Sequence, residues 1–91
     1  MKFEFAVARA LIGNDISVHI EADEGKPFDR VQVVLDDFSL ADDNVGTSDS
    51  YDQLFSQAGD ARSGLRHKLT ATAFLPDGSS HSGTKFWTDQ S

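Results

Sequence analysis

Asp36, Asp37, Asp42, Asp43, Asn44, Asp49 and Asp52 put a run of side-chain oxygens into one short stretch of this chain. Calcium takes about six to eight oxygen ligands, so such a run is the first place to look for a metal. The spacing does not fit one. Asp42-x-Asn44-x-Gly46 lacks the order of an EF-hand loop, and the last ligand position of that register is Gln53, a neutral residue with no bidentate carboxylate. The stretch reads as solvated acid, with no metal and no cofactor.

The histidines offer little more. His19 belongs on the exposed side of an alternating run, and His67 and His81 are expected on opposite faces of one hairpin, where they could not share zinc. Gly78-Ser-Ser-His-Ser-Gly83 has the composition of a nucleophile elbow. Its glycines stand too far apart, and it lies in a hairpin rather than between a strand and a helix. Asp36 and Asp37 are adjacent, so on a strand they would point to opposite faces and could not act on one bond. There is no glycine-rich phosphate loop and no cysteine. The expectation is a protein that is not an enzyme.

What remains is a surface. Phe74, Trp87 and His81, flanked by Lys68 and Lys85, are expected to share the outward face of the last hairpin and to contact a partner, since Trp anchors interfaces through rigid apolar area. The competing reading covers that face with other elements and stacks Lys68 on Trp87, worth about 0.5–1 kcal/mol.

That hairpin is the clearest element. Leu65 to Thr88 holds two alternating runs around Pro76-Asp77-Gly78, a turn signal. A three-residue turn with Gly78 left-handed would set Leu75 opposite Ser80, Phe74 opposite His81 and Leu69 opposite Phe86, whereas a two-residue turn would keep the alternation within each strand but shift which residues sit opposite. His67, Leu69, Ala71, Ala73 and Leu75, with Phe86, Thr84 and Ser82, would then face the core. Small alanines there suit the close approach of a second sheet.

Upstream, Lys2 to Ile12 reads as a strand with Phe3, Phe5, Val7 and Leu11 on one face, and Arg9 on that face suggests an edge or bulge. Gly13-Asn14-Asp15 reads as a turn. From Asp15 to Asp23 the chain alternates cleanly, with Ile16, Val18, Ile20 and Ala22 inward. Asp29 to Leu40 forms a third strand region that bends at Asp36-Asp37. Val34 on its polar side suggests a strand that is covered on both faces or sits centrally. Ala41 to Ser50 reads as a surface loop. Tyr51, Leu54, Phe55 and Ala58 have helical spacing, with Ser50 and Gln53 as a capping box and Gly59 past the end. The spacing predicts one short helix near residues 50–58.

The sum is an all-β chain, an antiparallel β-sandwich over residues 1–91 as a single domain. The stretch from His67 to Trp87, HKLTATAFLPDGSSHSGTKFW, resembles the closing hairpin of immunoglobulin-like and fibronectin type III-like modules of bacterial proteins. The chain departs from true immunoglobulin domains in lacking paired cysteines and a tyrosine corner, and in carrying its one Trp in the last strand. The resemblance implies an immunoglobulin-like sandwich serving as a spacer or adhesive module, and the fold itself implies no chemistry.

Composition agrees with a folded domain. Ninety-one residues with 38% hydrophobic content and seven Phe can build one small core. Each Phe buried there contributes about 1.5–3 kcal/mol. Eight basic against fifteen acidic residues leave a net charge of −7, which disfavours nucleic acid and anionic membranes as partners. Glu4 and Arg9 interrupt the first apolar run, so it is not read as a signal peptide and falls short of a membrane span. A cytoplasmic location follows unless the domain is excised from a secreted protein. The functional expectation is a protein-interaction or structural module with an unknown protein partner. The alternatives are an acidic inhibitor or immunity-type protein, which would cap a basic partner through Asp42–Asp52, and a calcium-binding module.

Overall fold

Residues 1–59 and 66–88 are described by the structure, a computed structural model. Among these described residues seven strands, all antiparallel, run in chain order: β1 (Lys2–Arg9), β2 (Asn14–Glu21), β3 (Phe28–Leu35), β4 (Phe38–Ser48), β5 (Ser50–Ala58), β6 (Arg66–Phe74) and β7 (Ser80–Thr88). They form a three-stranded sheet, β1-β2-β5, and a four-stranded sheet, β4-β3-β6-β7. Alternation decides what faces inward. β2 buries Ile16, Val18 and Ile20, β3 buries Val31, Val33 and Leu35, and β6 buries Leu69, Ala71 and Ala73. With Phe28 these side chains close one core between the sheets. Val34, half-buried on the other side of β3, marks a strand flanked on both sides by neighbours, as its sequence suggested.

No helix occurs among the described residues, and the predicted helix at 50–58 is the edge strand β5. Tyr51 lies opposite Ile20 and Phe55 opposite Ile16, as alternation requires. The ladder then slips. Asn14 meets Ala58 instead of Gln57, which sits in a bulge with φ of 53°. One extra residue there turns both Phe55 and Ala58 toward the core. A bulged strand has thereby produced the i, i+4, i+7 spacing of a helix.

The expected loop at 41–50 is also strand for most of its length. It pairs with β3 as the edge strand β4, and its polarity reflects an edge with one neighbour. Asp36 and Asp37 are not a bend within a strand. They are the two central residues of the β3–β4 hairpin, with φ of 49° and 71°. Positive φ at both positions is the geometry whose twist suits a two-residue hairpin. β1 stops at Arg9, short of Ile12, and leaves Leu11 and Ile12 exposed, while Asn14 already belongs to β2.

The last hairpin forms as expected but in another register; Leu65, its expected first residue, lies outside the described residues. Phe74 pairs with Ser80, Lys68 with Phe86 and His67 with Trp87. Residues 75–79 make the connection: Leu75 N–H donates to the Ser79 carbonyl at 2.9 Å, and Asp77 accepts from both the N–H and hydroxyl of Ser79. A shift of one residue exchanges the faces of β7. Lys85 now stands opposite the buried Leu69, and Phe86 points outward at 54% exposure. In β4, Asp43 stands opposite the buried Val31 in the same way. At Gly83 the sheets come closest, since a Cβ there would meet Phe3 Cβ at 2.7 Å.

Candidate functional site

The outer face of the four-stranded sheet is polar at its centre and aromatic toward its ends. Thr70 and Thr84 hydrogen-bond across β6 and β7, as do Thr72 and Ser82. Arg66 lies over the Phe86 ring at 5.2 Å, and Arg30 over Phe74 at 4.8 Å while it grips Asp42 through two bonds of 2.7 Å. Beside the β3–β4 turn is an open groove of about 600 Å³ lined by Val34, Phe38, Leu40, Arg66, Lys68 and Thr70. Phe38 is 76% exposed there.

The structure divides the five expected contact residues. Phe74 and Lys68 lie on this outer face. Trp87, Lys85 and His81 lie on the core-facing side of β7, because they pair with His67, Leu69 and Ala73. Trp87 is half-buried with its ring 5.1 Å from that of His67, and its indole N–H is buried without a partner among the described residues. Phe86 and Arg66 take the outward places. Gly83 and Lys85, small and charged in a row that reads as outward, did not reveal this. Only the register does.

Asp36 and His67 form a fastening between the sheet and its turn. One Asp36 oxygen meets His67 Nδ1 at 2.5 Å and the other accepts from Lys68 N–H at 2.8 Å, while Asp36 N–H donates to the Lys68 carbonyl at 3.0 Å. A carboxylate orienting an imidazole is the arrangement used in acid–base catalysis. Here the His67 side chain has no solvent exposure and lies against Trp87, so the pair secures the β3–β4 turn to β6.

The second sheet carries a charged row. Glu4, His19 and Asp52 lie side by side across β1, β2 and β5. His19 Nδ1 meets Asp52 at 2.5 Å and Nε2 meets Glu21 at 3.0 Å. The hydrogen bonds to Glu21 and then Asp52 raise the His19 pKa above its ordinary value. Lys2 and Glu4 pair at 2.8 Å beside it. His19 and Glu21, two apart on one strand, were placed on one face by alternation, but their neighbour Asp52 was hidden in a predicted helix.

The carboxylates of the acidic stretch do not converge. Asp42 serves Arg30, Asp36 serves His67, Asp52 serves His19, and Asp43 accepts from the Tyr51 hydroxyl at 3.0 Å. Among the described residues no group of three or more His, Asp or Glu side chains is placed to hold a metal. His67 and His81 do share the inner side of their sheet, contrary to expectation, but stand six positions apart along the ladder, about 20 Å.

Compared with protein-family models, curated proteins and solved structures, the chain matches none. No helix among the described residues is long and apolar enough to cross a membrane.

Tyr51 links the two sheets, reaching from β5 to Asp43 on β4. Burial and then the bond to Asp43 push its pKa up to about 12. The folded state therefore binds this proton more tightly than the unfolded chain. Its contribution to stability is complete below the ordinary tyrosine value of about 10 and is lost as pH rises through about 12. Phenolate absorbance should appear near pH 12 in the folded protein and fall toward the ordinary value in Asp43→Ala. A midpoint at the ordinary value in the wild type would show that the sheet-to-sheet bond is absent in solution.

Proposed function

We propose that this chain is a non-enzymatic, immunoglobulin-like sandwich module that acts through contact with a protein partner. Support for the topology comes from the strand order, β1-β2-β5 against β4-β3-β6-β7, in which sequential hairpins are divided between two antiparallel sheets. The observation that carries the interaction reading is the outer face of the four-stranded sheet. Phe86, on that face beside Arg66 and Lys68, and Phe38, opposite Leu35 at the β3–β4 turn where the face ends, are both more than half exposed, and large exposed aromatics flanked by cations characterise contact surfaces.

Quantitative affinity capture tests this with the wild type, Phe38→Ser/Phe86→Ser and a control, Leu54→Ser, on the opposite sheet. The double variant is expected to keep its melting temperature within a few degrees and to lose at least tenfold in retention of a partner that the control retains. Equal retention by all three would remove this face from the function.

A second reading, an acidic protein that meets a basic partner, rests on the net charge of −7 and on the exposed edge strand β4, where Asp42 and Asp43 are already engaged by Arg30 and Tyr51. Its binding would weaken steeply with salt, whereas contact through Phe38 and Phe86 would depend on salt only mildly.

A further inference from the structure

The charged row on the three-stranded sheet has a property that follows from the number of protons an imidazole carries. Both ring nitrogens of His19 face carboxylates, Nδ1 toward Asp52 and Nε2 toward Glu21. Neutral imidazole has one N–H and can donate to only one of them, so only the imidazolium satisfies both. The other charged groups facing the ring are Glu4, opposite it on β1, and Lys2, which is paired with Glu4. One histidine proton thus sits among three carboxylates drawn from all three strands, with Lys2 the one other cation of the row among the described residues.

The strands are not equally dependent on that proton. β2 is central, and among the described residues β1 and β5 are both edges with β2 as their one sheet neighbour, but only β5 is bonded directly to the His19 ring, through Asp52. Asp52 is the β5 residue directly opposite His19, in the regular part of the ladder between Tyr51 and Phe55. When the ring loses its proton, a lone pair is left facing a carboxylate and the three acids repel one another. The edge strand that loses its direct bond to the ring, β5, yields first.

We propose that His19 is a pH-sensitive fastener, holding the edge strand β5 to β2 while protonated and loosening it when deprotonated. The sign is fixed by the raised pKa. The folded state holds the proton more tightly, so the added stability is complete below the ordinary histidine value, about 6.5, and is lost as pH rises through the higher folded value. The inference is independent of the partner-contact reading, since it concerns the opposite sheet.

The test is amide hydrogen exchange, corrected for the intrinsic chemical rate at each pH, on the full chain from pH 5.5 to 8.5. His19 ring resonances are followed in the same samples. Protection of the β5 amides bonded to β2 is expected to fall about two- to fivefold through the His19 titration, the scale of an exposed ion pair, while β3 and β6 amides hold steady. His19→Gln should abolish the pH dependence. Asp52→Asn, which keeps the ring and neutralises the β5 partner, should reduce it and lower the His19 pKa, and it gives the same reading if His19→Gln does not fold. The proposal is overturned if β5 protection follows that of β3 and β6 throughout, if the dependence persists in the variants, or if His19 titrates at or below its ordinary value.

Discussion

Gly13→Ala should be among the most damaging single-methyl changes available to this protein, costing about 2–5 kcal/mol. Two effects add. Gly13 has φ of 67°, a left-handed conformation that costs a residue with a Cβ about 1–2 kcal/mol. The Cβ would also stand 2.6 Å from the Ala58 carbonyl oxygen and 2.8 Å from that of Gly59. Those are backbone atoms at the end of β5, held by the bulge, and they cannot rotate away. Overpacking of this kind costs about 1–3 kcal/mol and sometimes more. Domains of this length are stable by roughly 5–13 kcal/mol, so the loss is a large fraction of the whole. Gly25→Ala is the matched control. Its φ is 74° and nothing lies within 4 Å of the added carbon, so it should show the conformational part alone. Urea unfolding of both variants separates the terms. Equal losses would mean that the β1–β2 turn does not press on β5.

Asp36→Ala is expected to cost about 2–5 kcal/mol, because a buried polar group that loses a partner, here the His67 ring, costs about 1–3 kcal/mol and a residue with a Cβ in the left-handed region about 1–2 kcal/mol. The substitution leaves both the His67 ring and the Lys68 N–H without this carboxylate. It also puts alanine at φ 49°. Asp36→Asn should be much milder, near 1 kcal/mol, since asparagine tolerates the left-handed region and keeps one acceptor oxygen. Thermal unfolding resolves the difference, at about 4–8 °C per kcal/mol in a domain of this size. If the two variants melt together, backbone conformation and not the carboxylate secures the turn. Trp87 fluorescence should change with Asp36→Ala, because the indole rests on the ring that loses its anchor.

The parts of this fold that sequence pattern disclosed are those where alternation runs uninterrupted. β2 and β6 were readable because Ile16, Val18 and Ile20, and Leu69, Ala71 and Ala73, each occupy every second place. The pattern failed where an extra residue entered or a neighbour was missing. In β5 the bulge at Gln57 converted a period of two into an apparent helix. β4 carries so few apolar residues because it has one partner, and a strand of that kind looks like a loop. The candidate surface suffered most from a one-residue error in the β6–β7 register. Phe74 and Lys68 lie outward as read, but Trp87 exchanged places with Phe86. Composition around Pro76-Asp77-Gly78 announces a turn without stating how many residues lie outside the ladder. The contacts of His67 with Asp36, and of His19 with Asp52, join residues more than thirty positions apart, and local pattern carries no information about such distances.

The two border strands of the larger sheet each aim one charge toward the interior, Asp43 from β4 and Lys85 from β7. A foreign strand adding itself to either border would trap that charge between layers and remove it from water, a heavy penalty without an opposite partner. Two copies zippering like border to like border, β4 to β4 or β7 to β7, would therefore set equal charges together between the layers. The symmetric, two-fold way of merging two such sheets is the one this arrangement of charges penalises.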